Sequence, residues 1–290
     1  MAAILAPAGL PAGASAVTRD FWVAAVPTTW SVVPNGLDGI HGTKVDRTVV
    51  PTVTYRRFTR GWAKQLPGPA IPGPLLRARA GDRLRVHFRN MDTTGLQPHS
   101  MHFHGVDYRP SSDGSFIPGF SGAGGRVPPG GTFTYELHAR GDSVGVWPYH
   151  DHSPSMEPSI AGGMYGALSI RRRRERAPDH EFLVVFAEMA ELQTIGGRAF
   201  VGNTPVYKAK VGDVVQWEVI GMGSDHHTFH VHGHRWRTPA GVPEDTRTVG
   251  PAESFRVRWR ERAPGTWLYH CHVEDHMARG MIGLYRVGPR

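Results

Sequence analysis

The feature that most restricts how this chain can fold is that its sequence occurs twice. Ala80-Gly81-Asp82 ahead of an alternating run returns as Val211-Gly212-Asp213, and His99-x-x-His102-x-His104-Gly105 returns as His227-x-x-His230-x-His232-Gly233. Pro129-Gly-Gly-Thr-Phe133 has its partner in Pro251-Ala-Glu-Ser-Phe255, and Trp147-Pro-Tyr-His150-Asp151-His152 in Trp267-Leu-Tyr-His270-Cys271-His272. Gly163-Met164-Tyr-Gly166 returns as Gly280-Met281-Ile-Gly283. Blocks matched in the same order imply two copies of one domain, over residues 21–170 and 181–290. A flexible tail, 1–20, is expected before them and an arginine-rich linker, 171–180, between them.

Each copy reads as β structure. Runs such as Arg83-Leu-Arg-Val-His-Phe-Arg89 alternate as half-buried strands do, and long amphipathic helical periodicity is missing. The chain carries 36 glycines and 24 prolines, which suits short strands closed by turns. Strands are expected at Phe21–Val26 and Val49–Tyr55, with a strand pair at Leu75–Ala80 and Asp82–Asn90 hinged at Gly81. The predicted class is all-β, two tandem Greek-key β-sandwiches.

Charge and apolar pattern exclude several functions. The formal charge is +8, but part of the excess sits in Arg171–Arg174, which reads as a solvated linker rather than a nucleic-acid surface. No apolar stretch reaches the ~20 residues that span a membrane. Residues 1–16 end in Gly-Ala-Ser-Ala, like the end of an export signal, yet lack a basic start. A secreted or cell-envelope location is expected, although a single cysteine, unable to form an intrachain disulfide, does not set the compartment.

That cysteine, Cys271, lies between His270 and His272, with His276 five residues on and Met281 ten residues on. One thiolate, two imidazoles and a distant thioether make a blue-copper ligand set. Four His-x-His pairs, 102/104, 150/152, 230/232 and 270/272, occupy matched positions in the repeat. On a strand, residues i and i+2 share a face about 6.6 Å apart, so each pair can aim two imidazoles at neighbouring metals. Eight imidazoles exceed the needs of one ion and suit a cluster of three.

The four His-x-His blocks, together with His-Cys-His-x3-His-x4-Met, resemble the multicopper oxidases, and the length resembles their small two-domain laccases. Further agreement lies in Ser100-Met-His-Phe-His-Gly-Val-Asp-Tyr108 and His227-Thr-Phe-His-Val-His-Gly-His-Arg-Trp236. The resemblance covers residues 70–290 and implies cupredoxin-like domains. It implies a type 1 copper on His227, Cys271, His276 and Met281, with type 2 copper on His102 and His230. The type 3 pair would take His104, His150, His152, His232, His270 and His272, making four coppers per subunit.

The activity so implied is one-electron oxidation of phenolic, aromatic or metal-ion donors coupled to reduction of O2 to water. Asp113 matches a proton-feeding acid of the small laccases and Tyr108 their tyrosine near type 2 copper. As residues alone they read equally as a turn residue and an aromatic anchor. The first copy departs from the pattern: Asp151 stands where Cys271 stands, so His99 and Met164 are expected to pack rather than bind copper. His226 and His234 fit no ligand position. Glu274, Asp275 and Met277 lie near the type 1 ligands, and Arg235, Trp236 and Arg237 are candidates to line the donor's approach. The resemblance further implies a homotrimer with clusters between subunits. A copper nitrite reductase and a non-catalytic copper-binding protein are the alternatives, the first disfavoured by the cysteine's place in the second copy.

Overall fold

The computed structural model describes residues 16–290. The export-signal reading and most of the expected tail lie outside that range. Each copy of the repeat is a sandwich of two mixed sheets. In the first, a five-stranded sheet runs Val49–Phe58, Thr18–Ser31, Arg83–Asn90, Thr132–His138, Asp107–Tyr108. It faces a four-stranded sheet ordered Leu75–Arg79, Tyr165–Arg171, Gly145–His150, His102–Phe103. In the second copy the order Val206–Lys210, Ile282–Gly288, Gly265–Cys271, His227–Val231 repeats that four-stranded sheet, extended by Thr246–Val249. Its other layer is Leu192–Ile195, His180–Met189, Val214–Gly221, Ser254–Arg260.

Three expectations need correction. The first strand begins at Thr18, pairing in parallel with Arg83, so the last residues of the expected tail belong to the sheet. Leu75–Arg79 and Arg83–Asn90 do not pair with each other; they lie in different layers. Gly81, at φ +91°, turns the chain across the sandwich, and Gly81 N–H donates to the Ala139 carbonyl. The arginine-rich segment is not a free solvated linker. Arg171 closes a strand and pairs with Glu181 at 2.8 Å, and Arg173 pairs with buried Asp82 at 2.8 Å.

Three apolar clusters hold the molecule together. One fills the first sandwich around Tyr55, Phe88, Phe103 and Tyr135, and one fills the second around Trp217, Phe229, Tyr269 and Tyr285. The third, with Trp30, Ile71, Val146, Phe200 and Met222, joins the two copies. Beside it Arg256 donates to Gly145 and Ile170 carbonyls and to Glu218. Burial on this scale sets the relative position of the copies.

The repeat places the histidines by register. His102 pairs with His150 across neighbouring strands, and His230 pairs with His270 in the same way. Both His-Gly steps have a steric reason: a Cβ on Gly105 would sit 2.0 Å from Trp147, and one on Gly233 would sit 2.6 Å from Trp267. Each glycine (φ +70° in both) lets its histidine loop close onto the tryptophan that opens the facing His-x-His strand.

Candidate metal centre

Cys271 ends the strand Gly265–Cys271, and His276 sits in the short helix Glu274–Ala278 that follows. His227 comes from the adjacent strand His227–Val231. Their donor atoms converge. His227 Nδ1 and His276 Nδ1 lie 3.2 Å apart, and Cys271 Sγ is 3.9 Å from the first and 3.6 Å from the second. Three donors about 2.0–2.3 Å from one ion make edges of roughly this length. Met281 is wholly buried and tied to the same point: its N–H donates to the His276 carbonyl, and its carbonyl accepts from Cys271 N–H. The Thr228 backbone N–H points at Cys271 Sγ, 3.3 Å away.

The environment favours neutral ligands. Burial, then the neighbouring His276, pulls His227 down to about 4, while burial pushes the Cys271 thiol up. The His227 lone pair is therefore available near neutral pH, and an ion entering the site must displace the thiol proton. His227, Cys271 and Met281 have no exposed surface and His276 has 9%, so His276 forms the outer edge.

The eight histidines of the four His-x-His pairs form two matching sets of four. The His102 ring lies 5.0, 5.5 and 5.3 Å from those of His104, His150 and His152. The His230 ring lies 5.2, 5.4 and 5.5 Å from those of His232, His270 and His272. His150 Nδ1–H donates to the Asp151 carbonyl, and His270 Nδ1–H to the Cys271 carbonyl. Those bonds leave both Nε2 atoms as bare lone pairs. His104 Nε2 faces His150 Nε2 at 3.1 Å, and His232 Nε2 faces His270 Nε2 at 3.1 Å. Burial first, then neighbouring imidazoles, holds His104 at about 4; burial likewise brings His150 and His270 to about 4 and lowers His232. An Nε2–H of His104 or His232 can bridge each of these contacts, and so can a cation in its place; copper fits this donor set.

Within one chain the two sets stay apart: among the described residues, these ring contacts join members of the same set. Both present their nitrogens at a surface. His232 and His272 are exposed, and His102, His104 and His152 are half-buried.

Asp113 and Tyr108 are both brought to His102. His102 Nδ1–H donates to the Asp113 carbonyl at 2.7 Å, and Asp113 Oδ1 is 3.5 Å from the same nitrogen. The Tyr108 ring packs edge-on to His102, 6.1 Å away. Burial, then Asp113, pushes the Tyr108 hydroxyl up to about 12. Burial would raise Asp113, but hydrogen bonding from Ser115 and the charge of His102 outweigh it and hold the carboxyl low.

Other residues are placed differently from the sequence reading. Trp236 is 3% exposed and packs against Phe229 and Trp259, so it does not line an approach from solvent. His234 is a buried structural residue between the His232 carbonyl (2.7 Å) and Glu261 (3.1 Å). Asp275 pairs with Arg279 on the helix. Sequence reasoning missed Asp225, whose carboxylate lies 3.6 Å from His276 Nε2 and bonds to Gln193 at 2.9 Å. Its position two residues before His227 was the available signal.

Two family models, both for multicopper oxidases, match residues 62–175 and 175–290. The chain belongs to the multicopper oxidases. A solved structure described as a multicopper oxidase superposes with a TM-score of 0.72 at 26% identity, covering 93% of this chain and 89% of that one. Mouse ferroxidase HEPHL1 is 28% identical over 97% of this chain and 30% of its own length. A probable nitrite reductase-hydroxylamine oxidoreductase fusion protein of Kuenenia stuttgartiensis is 31% identical over 79% of this chain and 29% of its own. The chain thus spans under a third of the length of these curated relatives. Among the described residues no helix is long and apolar enough to cross a membrane.

Proposed function

We propose that this multicopper oxidase is laccase-like, taking electrons singly from small donors and passing them to O2. Bound copper would supply one-electron acceptance at the mononuclear site and four-electron reduction of O2 to water at a three-copper cluster. His227, Cys271, His276 and Met281 would hold the type 1 ion. His102 and His230 would hold type 2, and His104, His150, His152, His232, His270 and His272 the type 3 pair. The observation that carries this reading is the repeated Nε2-to-Nε2 approach at 3.1 Å, found once in each copy. A nitrite reductase needs only one such catalytic ion.

The chain's own residues divide the work. Cys271 lies in the backbone between His270 and His272, so a covalent path joins the donor-side thiolate to the oxygen side. The exposed edge of His276 meets the donor. Asp113, beside His102 and Tyr108, takes protons from solvent and offers them where water forms.

Each copy supplies half of a cluster, and the halves lie apart in one chain. We place them together between chains, the first copy of one subunit against the second copy of the next. A head-to-tail contact of this kind closes into a ring, here a homotrimer with four coppers per subunit. Phe120, 87% exposed on the segment that follows Asp113, is a candidate to be covered there. A secreted or envelope location goes with this reading, and cell fractionation tests it.

Asp225 favours metal-ion donors alongside phenols. It is half-exposed beside His276, and its backbone N–H donates to Glu188. A relative named ferroxidase points the same way. Oxygen consumption by the copper-loaded protein with phenols, Fe(II), Cu(I) and Mn(II), and nitrite turnover in parallel, tests these readings. Nitrite turnover without oxygen uptake would overturn the oxidase assignment.

A further inference from the structure

Away from the histidines, a groove of about 1020 Å3 runs along the seam between the two copies. That is the scale of small-molecule sites. Its walls are the proline-rich loop 66–74 on one side and residues 196–205 on the other, with Trp30 and Tyr207. The frame is held from behind. Trp30 Nε1 donates to the Gly197 carbonyl at 2.5 Å, Tyr269 hydroxyl to the Pro205 carbonyl at 2.7 Å, and Thr204 hydroxyl to the Ile282 carbonyl at 2.8 Å. A groove so tied needs little ordering to receive a ligand.

The charges of the groove are one-sided. Arg56, Arg57 and Arg198 line it, all half-buried, and among the described residues none has a carboxylate within ion-pair distance; Arg57 lies over the Phe21 ring, 5.4 Å from its centroid. Arg56 donates to the Gly68 carbonyl at 3.0 Å. Arg198 donates to the Ser31 carbonyl and lies over the Trp30 ring, 3.8 Å from its centroid. Arg77 stands at the same groove but is neutralised by Glu181, 2.6 Å away. No acidic residue lines the groove. Three partly desolvated guanidiniums without a counter-charge are costly unless an anion joins them, and guanidinium matches a carboxylate in two-point geometry.

We infer that this groove binds a small aromatic carboxylate, its anionic end held by Arg56 and Arg198 and its ring against Trp30, Tyr207 and the prolines. The site is separate from the copper ligands and does not depend on which donor the oxidase uses. An acidic segment of another chain has the same charge, but the enclosed prolines and aromatic rings favour a compact planar ligand.

The test is calorimetric titration of the copper-loaded protein with 1-naphthoate and with its neutral counterpart 1-naphthamide. Wild type should bind naphthoate one to a chain and naphthamide at least about tenfold more weakly. Arg56→Ser and Arg198→Ser should each weaken naphthoate about tenfold or more, with partial recovery in Arg56→Lys. Thermal melting reports whether each variant is folded; if Arg198→Ser is not, Arg56→Ser decides. No binding by wild type overturns the inference, as does equal affinity for the amide or unchanged affinity in the serine variants. A groove covered by a second copy would give the first of those results.

Discussion

The buried sites at Cys271 and Asp151 occupy the same place in the two copies and have opposite chemistry. Around Cys271, two nitrogens and a sulfur face one another at 3.2–3.9 Å, a spacing that suits one shared ion. Around Asp151, hydrogen bonds hold the groups together. Its Oδ1 accepts from Ser100 N–H at 2.7 Å and its Oδ2 from the Ser153 hydroxyl at 2.7 Å. His99 sits between Asp92 and Asp151, at 3.5 and 3.6 Å. Burial would raise the Asp151 carboxyl, but the partnership with His99 and these hydrogen bonds hold it low. The position of His276 is taken by Ser159 in the first copy: the Ser159 carbonyl accepts from Met164 N–H as the His276 carbonyl accepts from Met281 N–H. The fold keeps its His-x-His frame whichever residue, Cys271 or Asp151, stands at the central position.

The sharpest break between the copies is at these two residues. Cys271→Ser should abolish the intense thiolate-to-copper absorption and donor-driven oxygen uptake together. Asp151→Asn should leave the absorption intact and lower stability by about 1–3 kcal/mol, the cost of unpairing a buried polar group, measured by denaturant unfolding. A lost band in Asp151→Asn would contradict the assignment. Asp151→Cys should not create a second blue site, because Ser159, at the position of His276, supplies no imidazole; absorption at twice the wild-type intensity per chain would show otherwise.

The copies differ next in the carboxylates behind His102 and His230. Each histidine donates its Nδ1–H to an aspartate carbonyl, Asp113 or Asp245, both at 2.7 Å. Only Asp113 has its side chain beside a tyrosine and the ligand. Asp113→Asn should slow oxygen reduction, by up to ~100-fold for a lost proton relay, at unchanged copper content. Asp245→Asn should leave turnover near wild type. Equal effects in steady-state oxygen uptake would remove the proton-feeding role.

The smallest contrast concerns the buried His234–Glu261 pair, whose counterparts in the first copy are Val106 and Ala139. The alignment rests on backbone: Glu261 and Ala139 each accept a glycine N–H and donate to an aspartate carbonyl. Burial would raise Glu261, but the hydrogen bonds from His234 and Tyr285 outweigh it and bring it to about 2. A carboxyl lowered on folding adds stability above its unfolded value, and that stability is lost as pH falls through the folded one. Wild type should therefore lose more melting temperature than Glu261→Gln between about pH 5 and pH 2. Parallel melting curves over that interval would contradict the pair's contribution.

The sequence made the repeat, the β-sandwich class and the convergence of four histidines within each copy legible, because strand periodicity and the His-x-His spacing carry that information locally. It also marked Asp151 as the departure. What it hid was long-range. Glu261 lies 27 residues from His234, Asp92 supports His99 only through a turn, and Asp225 reaches His276 across 51 residues. The strand pair around Gly81 was misread because alternation tells which residues are buried and not which layer a strand joins. Trp236 stands with Arg235 and Arg237 among the candidates to line the donor's approach, yet an alternating strand sends the middle residue inward.

The central claim is that each three-copper cluster is built by two chains, and mixing crippled subunits tests it most directly. One variant loses the first half-site through His104→Ala and His150→Ala; the other loses the second through His232→Ala and His270→Ala. Each alone should take up no oxygen. Unfolded together, refolded and loaded with copper, they should recover about a quarter of wild-type oxygen uptake, the share of head-to-tail interfaces where two intact halves meet. No recovery from a mixture that assembles normally by sedimentation would contradict a cluster shared between chains.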